Sequence, residues 1–358
     1  MLRTKIFFIC FFFLLSFFIY LGLSYEKEQK IEEYLKQKTM LYTQSYNVVY
    51  DHYKHLSKVL FNLEVNTPEV LEIISQINES NKDQQREKLF NKLNSTYSML
   101  KEYNLKQLHF HLPNNDSFLR FHRPKKHGDN LSKVRQTVKY VNQYQKFIDG
   151  FEEGRIYNGY RFVYPLFDKE RHIGSVEISF STHAMSATIS QKYNLMSYFL
   201  IKKEVVDKKL FQSEKHNYTN SNLEKFYIEN NIFDFMNRLS DQNSLDYISK
   251  DLEEKIYQKI ASKNVAFSLY NPDDKHLLTF IKVNNAVTQE NIGLFVIASD
   301  AKYIDNKTIN FYTLLLISNL LLLVIIAFIF TALLNKVTIN SYREKIEKLN
   351  NKIYECMK

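Results

Sequence analysis

"LHFHLPNNDSFLRFHRP", Leu108 to Pro124, alternates apolar residues with His109 and His111, turns at "PNND", then alternates again through Arg120 and His122. Residues two apart on a strand share a face, so each arm presents two chemically active side chains side by side. If the turn is tight, the two faces match. Such a cluster can hold a metal, carry out catalysis, line a small-molecule pocket, or belong to an ordinary solvated sheet face. A metal would draw on His109, His111, His122 and nearby His127, and three imidazoles can hold Zn²⁺ or Ni²⁺. The chain has 2 cysteines, Cys10 and Cys356, and neither lies near this stretch, so a thiolate site is excluded and the metal signal is weak. The expected set contains no metal ligand and no cofactor.

Four more residues of the same chemical kind follow. Glu152, Arg161 and Tyr164 lie in "GFEEGRIYNGYRFVYPLFD", and Glu177 in "RHIGSVEISFS". Arginine offers a planar fork suited to a carboxylate, histidine donates or accepts, and glutamate holds an amine or hydroxyl. The candidate ligand-binding residues are therefore Arg120, His122, Glu152, Arg161, Tyr164 and Glu177, with no catalytic residue among them. The competing reading is a sheet face with cross-strand Arg–Glu pairs and no ligand. Hydrolase chemistry has no support: there is no G-x-S-x-G, no H-E-x-x-H, and no cysteine outside the terminal segments.

The compartment of the hairpin follows from two apolar runs. "IFFICFFFLLSFFIYLGL" (residues 6–23) and "FYTLLLISNLLLLVIIAFIFTALL" (311–334) are uncharged and long enough to span a bilayer as helices. The first is read as an uncleaved anchor, because "LGLSYEKE" is a poor cleavage site. Arg3 and Lys5 precede it, and Lys336, Arg343, Lys345, Lys348 and Lys352 follow the second run. The positive-inside rule then places both termini in the cytoplasm and the segment between them outside, in the periplasm of a bacterial inner membrane. That segment has no cysteine and must stand on its own core without disulfides. The formal net charge of +9 comes from interspersed Lys and Glu that lie mostly outside the cytoplasm. It points to a solvated surface, not to a nucleic-acid partner.

Between the runs the hydrophobic pattern predicts an α+β chain. Ile31, Leu35, Leu41, Val48, Val49, Leu56, Val59, Leu60 and Leu63 recur at helical spacing, giving a stalk helix of roughly 60 Å. Thr67 and Pro68 read as the cap and first residue of the next helix, and 82–103 as a further one. A hairpin, a helix over 132–148 and a second hairpin follow, the arrangement of an antiparallel sheet with helices on one face. "THAMSATISQKYN" connects to a second set: "MSYFLIKKEVV", a helix over 245–262, and strands "VAFSLYN", "HLLTFIKV" and "NIGLFVIASD", with a turn at "NPDDK". The expected organisation is a cytoplasmic N-terminus (1–5), a membrane helix (6–23), a stalk (24–64), a membrane-distal module (65–190), a membrane-proximal module (191–310), a membrane helix (311–334) and a cytoplasmic coil (335–358). In the coil Ile339, Tyr342, Ile346, Leu349, Ile353 and Cys356 alternate spacings of three and four, the seam of a parallel dimer.

This layout, and the stretch "FHLPNNDSFLRFHRPKKHGDNLSKVRQTVKYVNQ…GFEEGRIYNGYRFVYPLF…HIGSVEIS", resembles the bacterial double Cache sensory domain found on sensor histidine kinases, diguanylate cyclases and chemoreceptors. The match is specific from Phe110 to about Phe180 and architectural elsewhere. The resemblance implies two PAS-like antiparallel-sheet modules, a small polar ligand bound by the distal one, and a cytoplasmic output domain or partner. It tips the candidate residues toward a pocket for a small polar metabolite, most simply a carboxylate. Neither a HAMP module, a kinase His box, an ATP-binding glycine motif nor a GGDEF-like sequence is present in these 358 residues, so the chain as written is expected to sense and span but not to catalyse. An accessory membrane protein with a vestigial pocket is the alternative. Reporters test the topology: one fused at Lys358 is expected to be active in the cytoplasm and one at Asn142 outside it, and cytoplasmic activity at position 142 would overturn the arrangement.

Overall fold

In the computed structural model, which describes residues 2–154, 158–209, 212–239, 248–272, 275–301 and 304–357, the first helix, α1, runs Leu2–Leu60 and ends in a π-type turn at Phe61–Val65. The last, α9, runs Asn310–Met357. Both are long and apolar enough to cross a membrane. The chain divides into two compact units: Met1–Tyr34 with Ala301–Lys358, and Leu35–Asp300. In the terminal unit the two helices touch through Phe8 and Phe330, whose rings lie 4.1 Å apart.

In the unit Leu35–Asp300, the helices α2 (Pro68–Ser75) and α3 (Lys82–Lys101) follow the stalk. Thr67 caps α2 as expected, accepting from the Val70 amide at 3.4 Å, with Pro68 at the first helical position. The strands β1 (Leu105–His111), β2 (Ser117–Arg120), β3 (Ile148–Glu152), β4 (Gly159–Asp168) and β5 (Arg171–Phe180) build an antiparallel sheet in the order β2-β1-β5-β4-β3. Helix α4 (Gln136–Tyr144) is shorter than the sequence pattern predicts. It starts where a carboxylate, Glu152, receives its first amides, and it stops where Gln145 turns left-handed at φ 54°. Helix α5 (Thr182–Tyr193), capped by Ser181, leads into the second module.

That module contains β6 (Met196–Lys202), α6 (Lys203–Lys209), β7 (Tyr218–Asn220), β8 (Phe226–Glu229), α7 (Asn230–Leu239), α8 (Lys250–Ala261), β9 (Ala266–Asn271), β10 (His276–Asn284) and β11 (Asn291–Asp300). Among the described residues its sheet runs β7-β8-β6-β11-β10-β9, again antiparallel. The first residues of the predicted helix over 245–262 and the centre of the "NPDDK" turn lie outside the described residues. β7, β8 and α7 are additions that the sequence pattern left unassigned; the two strands are short, with β7 at the sheet edge and β8 between it and β6.

The pleat gives the distal sheet two unlike faces. Phe110, Tyr160, Phe162, Tyr164, Val176, Ile178 and Phe180 are buried on one face, against α1, α2 and α3. The stalk meets this face with hydroxyl-tipped side chains: Tyr46 shares a hydrogen bond with Tyr160 at 3.0 Å, Tyr50 donates to Asp149 at 2.6 Å, and Ser57 meets the Tyr164 hydroxyl at 2.8 Å. The same helix continues along the proximal sheet, where Thr39 donates to Ser268 at 2.7 Å and Tyr42 to Ser299 at 2.9 Å.

The modules are joined directly as well. The Ala286 amide donates to the Phe151 carbonyl at 2.8 Å, and Gly150 lies so close that an added Cβ would stand 2.9 Å from that of Ala286. Glu229, at the end of β8, accepts from Asn158 at 3.2 Å and from Thr182 at 3.0 Å beside a cavity of about 200 Å³. Burial pushes its carboxyl above the ordinary 4.5, against those hydrogen bonds and the charge of Lys106. A carboxyl with a raised folded-state pKa contributes stability fully present below the unfolded value and lost as pH rises through the folded one. Glu229→Gln is therefore expected to raise the melting temperature of the full chain at about pH 7.5 and to bring no gain at about pH 4, as followed by thermal unfolding in detergent. An equal effect at both pH values would mean that the carboxyl titrates alike in the folded and unfolded chain.

Candidate functional site

The second face of the distal sheet is polar yet buried. Gln107, His109 and His111 from β1, Arg120 from β2, Arg161 from β4 and Ser175, Glu177 and Ser179 from β5 lie under the segment 121–135 and α4. Cross-strand register sets their order. His109 stands opposite Arg120 and Glu177, His111 opposite Ser175, and Val163 opposite Glu177, so Arg161 reaches Glu177 diagonally. Gly174 permits this pairing: it has φ +137°, and a Cβ there would sit 2.2 Å from the His111 carbonyl oxygen.

Glu177 is fully buried and bound by Arg161 through Oε1, with Arg135 Nη2 at 3.8 Å. Burial acts to raise its carboxyl, but the Arg135 and Arg161 guanidiniums outweigh burial and hold it at about 2. Arg161 is equally buried. Its Nε lies 3.4 Å from Glu152 Oε2, and it also donates to the Glu152 carbonyl at 3.3 Å. Glu152 in turn accepts from the Gln136 amide at 2.6 Å, the Thr137 amide at 3.1 Å and the Thr137 hydroxyl at 2.7 Å, so its charge serves the N-terminus of α4.

Arg120 is held bidentately by Asp129 at 2.7 and 2.8 Å and donates to the Lys126 carbonyl at 2.7 Å, pinning the covering segment to the sheet. His122, just past β2, is pushed down to about 4 by burial. The structure thus brings together five of the six predicted residues: Arg120, His122, Glu152, Arg161 and Glu177. Tyr164 is on the opposite face, stacked on Phe61 with ring centroids 4.3 Å apart. It lies three positions from Arg161 in one strand, an odd step that the two-residue period sends to the opposite side.

Three further contributors come from outside the predicted set. Arg135, immediately before α4, donates to Gln107 at 3.3 Å and lies 3.7 Å from Glu152, while its Nη1 makes no hydrogen bond. The available signal was an Arg at a helix start in a Lys-rich chain, where the planar fork is the distinguishing property. His109 and His111 were singled out for chemistry and then set aside. They are 1% exposed each, with ring centroids 4.1 Å apart. Burial drives His109 well below its ordinary range and His111 to about 3, so both rings are neutral. His109 Nδ1, His111 Nε2 and Glu177 Oε2 are buried without a hydrogen-bond partner. Each such atom costs on the order of 1–3 kcal/mol.

No curated protein matches the chain. Among solved structures it is similar to the ligand-binding domain of the Campylobacter jejuni chemoreceptor Tlp3 in complex with L-valine, at 13% identity and a TM-score of 0.42, over 78% of this chain and 98% of that one. It is also similar to the V. cholerae histidine kinase DctB sensor domain, at 11% identity and a TM-score of 0.37, over 74% and 97%. A family model described as the double sensory domain of two-component sensor kinase matches residues 32–303, across both modules and most of the stalk, and the chain belongs to this double Cache family.

Proposed function

We propose that the chain is the sensory part of a two-pass inner-membrane receptor, binding a small polar metabolite in the periplasm and passing the signal through its second span to a cytoplasmic output. A two-component histidine kinase is the reading favoured by the family; a diguanylate cyclase or chemoreceptor output is the alternative. Only a sensory domain is identified in the chain, and the chemistry of the output is assigned to another domain or partner.

The observation that carries the ligand reading is Arg135. A half-buried guanidinium sits at the helix start, its Nη1 atom buried with no hydrogen bond and only Glu152 Oε2 facing it at 3.7 Å, under a segment that a few contacts hold down. That geometry suits a carboxylate, with Arg135 as the fork and His122 as a neutral donor. Glu152, Arg161 and Glu177 form the charged floor. Arg120 acts through Asp129 on the cover. A ligand acts only by preferring one of two states, and the movable cover supplies the second.

Two further parts of the reading rest on the terminal segments. The apolar helices with flanking positive charges support the two-pass topology. Ile339, Tyr342, Ile346, Leu349 and Ile353 are all exposed along α9, which supports a homodimer closing over this seam.

Thermal-shift screening of the full chain in detergent against small carboxylates is expected to return a stabilising ligand. Arg135→Ala should weaken it by about 1.5–3 kcal/mol, roughly tenfold to a hundredfold, without unfolding the protein. Wild-type affinity in that variant would move the pocket elsewhere. Single cysteines at Ile346 or Leu349, in a background lacking Cys10 and Cys356, should crosslink between chains on oxidation, and one at Lys348 far less. Equal crosslinking at all three would remove the seam.

A further inference from the structure

The polar face also holds a compact set of donor atoms. One nitrogen each of His109 and His111 and one carboxylate oxygen of Glu177 lie within 4.8 Å of one another, all three residues buried. In every one of them a single polar atom is anchored and the other is bare. His109 Nε2 shares a hydrogen bond with Ser117 Oγ at 2.8 Å, leaving Nδ1. His111 Nδ1 meets Ser175 Oγ at 3.1 Å, leaving Nε2. Glu177 Oε1 receives Arg161, leaving Oε2. Ligating histidines are ordinarily oriented in this way, with the far ring nitrogen hydrogen-bonded so that the near one faces the ion.

From this arrangement we infer that His109, His111 and Glu177 form a site for a divalent transition-metal ion, Zn²⁺, Ni²⁺ or Co²⁺. Two imidazole nitrogens and one carboxylate oxygen are the donor set for ions of this softness; Mg²⁺ and Ca²⁺ prefer oxygen alone. Bonds of about 2.1 Å need donor atoms about 3–3.5 Å apart, which side-chain rotations of about 1 Å supply. A metabolite does not fit between three atoms this close, whereas an ion does.

Charge balance says more about the occupied site. Glu152, Glu177 and Asp129 already offset Arg120, Arg135 and Arg161, so a dication brings two positive charges that nothing in the cluster neutralises. Three protein ligands leave coordination positions open. An anionic further ligand, a carboxylate or hydroxide, would fill one of them with Arg135 Nη1 close by. The site thus lies beside the ligand pocket proposed above, and its test contains no organic ligand, so its failure leaves the sensor reading standing.

The full chain, purified in detergent with Cys10→Ser and Cys356→Ser and a tag free of histidine, is loaded with Zn²⁺ or Co²⁺ and desalted. One equivalent of metal per chain is expected to remain, and Co²⁺ should show the visible absorption bands of nitrogen–oxygen coordination. His109→Gln and His111→Gln should each abolish both signals. Ser117→Ala and Ser175→Ala, small changes in the shell behind the ligands, should weaken binding by about 10–100-fold while the protein stays folded. They decide the matter if the histidine variants fail to fold. A wild-type chain that retains no metal, or serine and histidine variants that bind as tightly as wild type, overturns the site.

Discussion

The fully buried ion network of Glu177, Arg161 and Glu152 is the interaction on which the rest of the distal module depends. Isolated charges at such depth would cost several kcal/mol each, and close pairing is what makes them tolerable. Glu177 holds the central strand, Arg161 its neighbour β4, and Glu152 the edge strand β3. Glu152 then spends its remaining lone pairs on the first amides of α4. One connected set of charges thereby fixes three strands and the start of the helix that covers them. Removing any member would strand the others, which makes the network a point of shared failure.

The sheet separates two environments by the thickness of one backbone. The polar network, the histidines and the covering segment lie on one face. On the other, the stalk is met by tyrosine and serine hydroxyls as well as by apolar surface. Hydroxyl contacts contribute only about 0.5–1.5 kcal/mol net each and can exchange partners, unlike a close-packed aliphatic seam. The same residues α1 uses on the distal sheet, tyrosine and small hydroxyls, recur where it meets Ser268 and Ser299 in the proximal module. A continuous helix in contact with both sheets makes a displacement at one available to the other.

The contact of Asn285 and Ala286 with β3 adds a second link between the modules, close to the network. Phe151, whose carbonyl receives the Ala286 amide, is followed directly by Glu152, and Asn285 donates to Glu153 at 2.9 Å. The edge strand therefore answers to the charged floor through one residue and to the proximal module through its neighbours.

Much of the fold was legible in the sequence because it is written in short-range patterns. Uncharged runs of bilayer length, the three-four spacing of the stalk, the Thr67–Pro68 cap and the two-residue alternation around "PNND" and "GSVEIS" each follow from local backbone chemistry. The composition of the candidate site was legible for a similar reason: Arg and Glu inside otherwise apolar strands are conspicuous. Which of them meet was decided only by the tertiary structure. Register placed Arg161 against Glu177, and pleating turned Tyr164 away to the stalk. Arg135, expected inside a helix over 132–148, stands just before α4, and what it meets was settled only by the docking of that helix. The histidines show the limit most plainly. Their spacing put them on one face, but the depth of burial, the serine hydroxyls that turn each ring, and the carboxylate opposite are properties of strands far apart in sequence. Those contacts depend on register and packing, which no local pattern encodes.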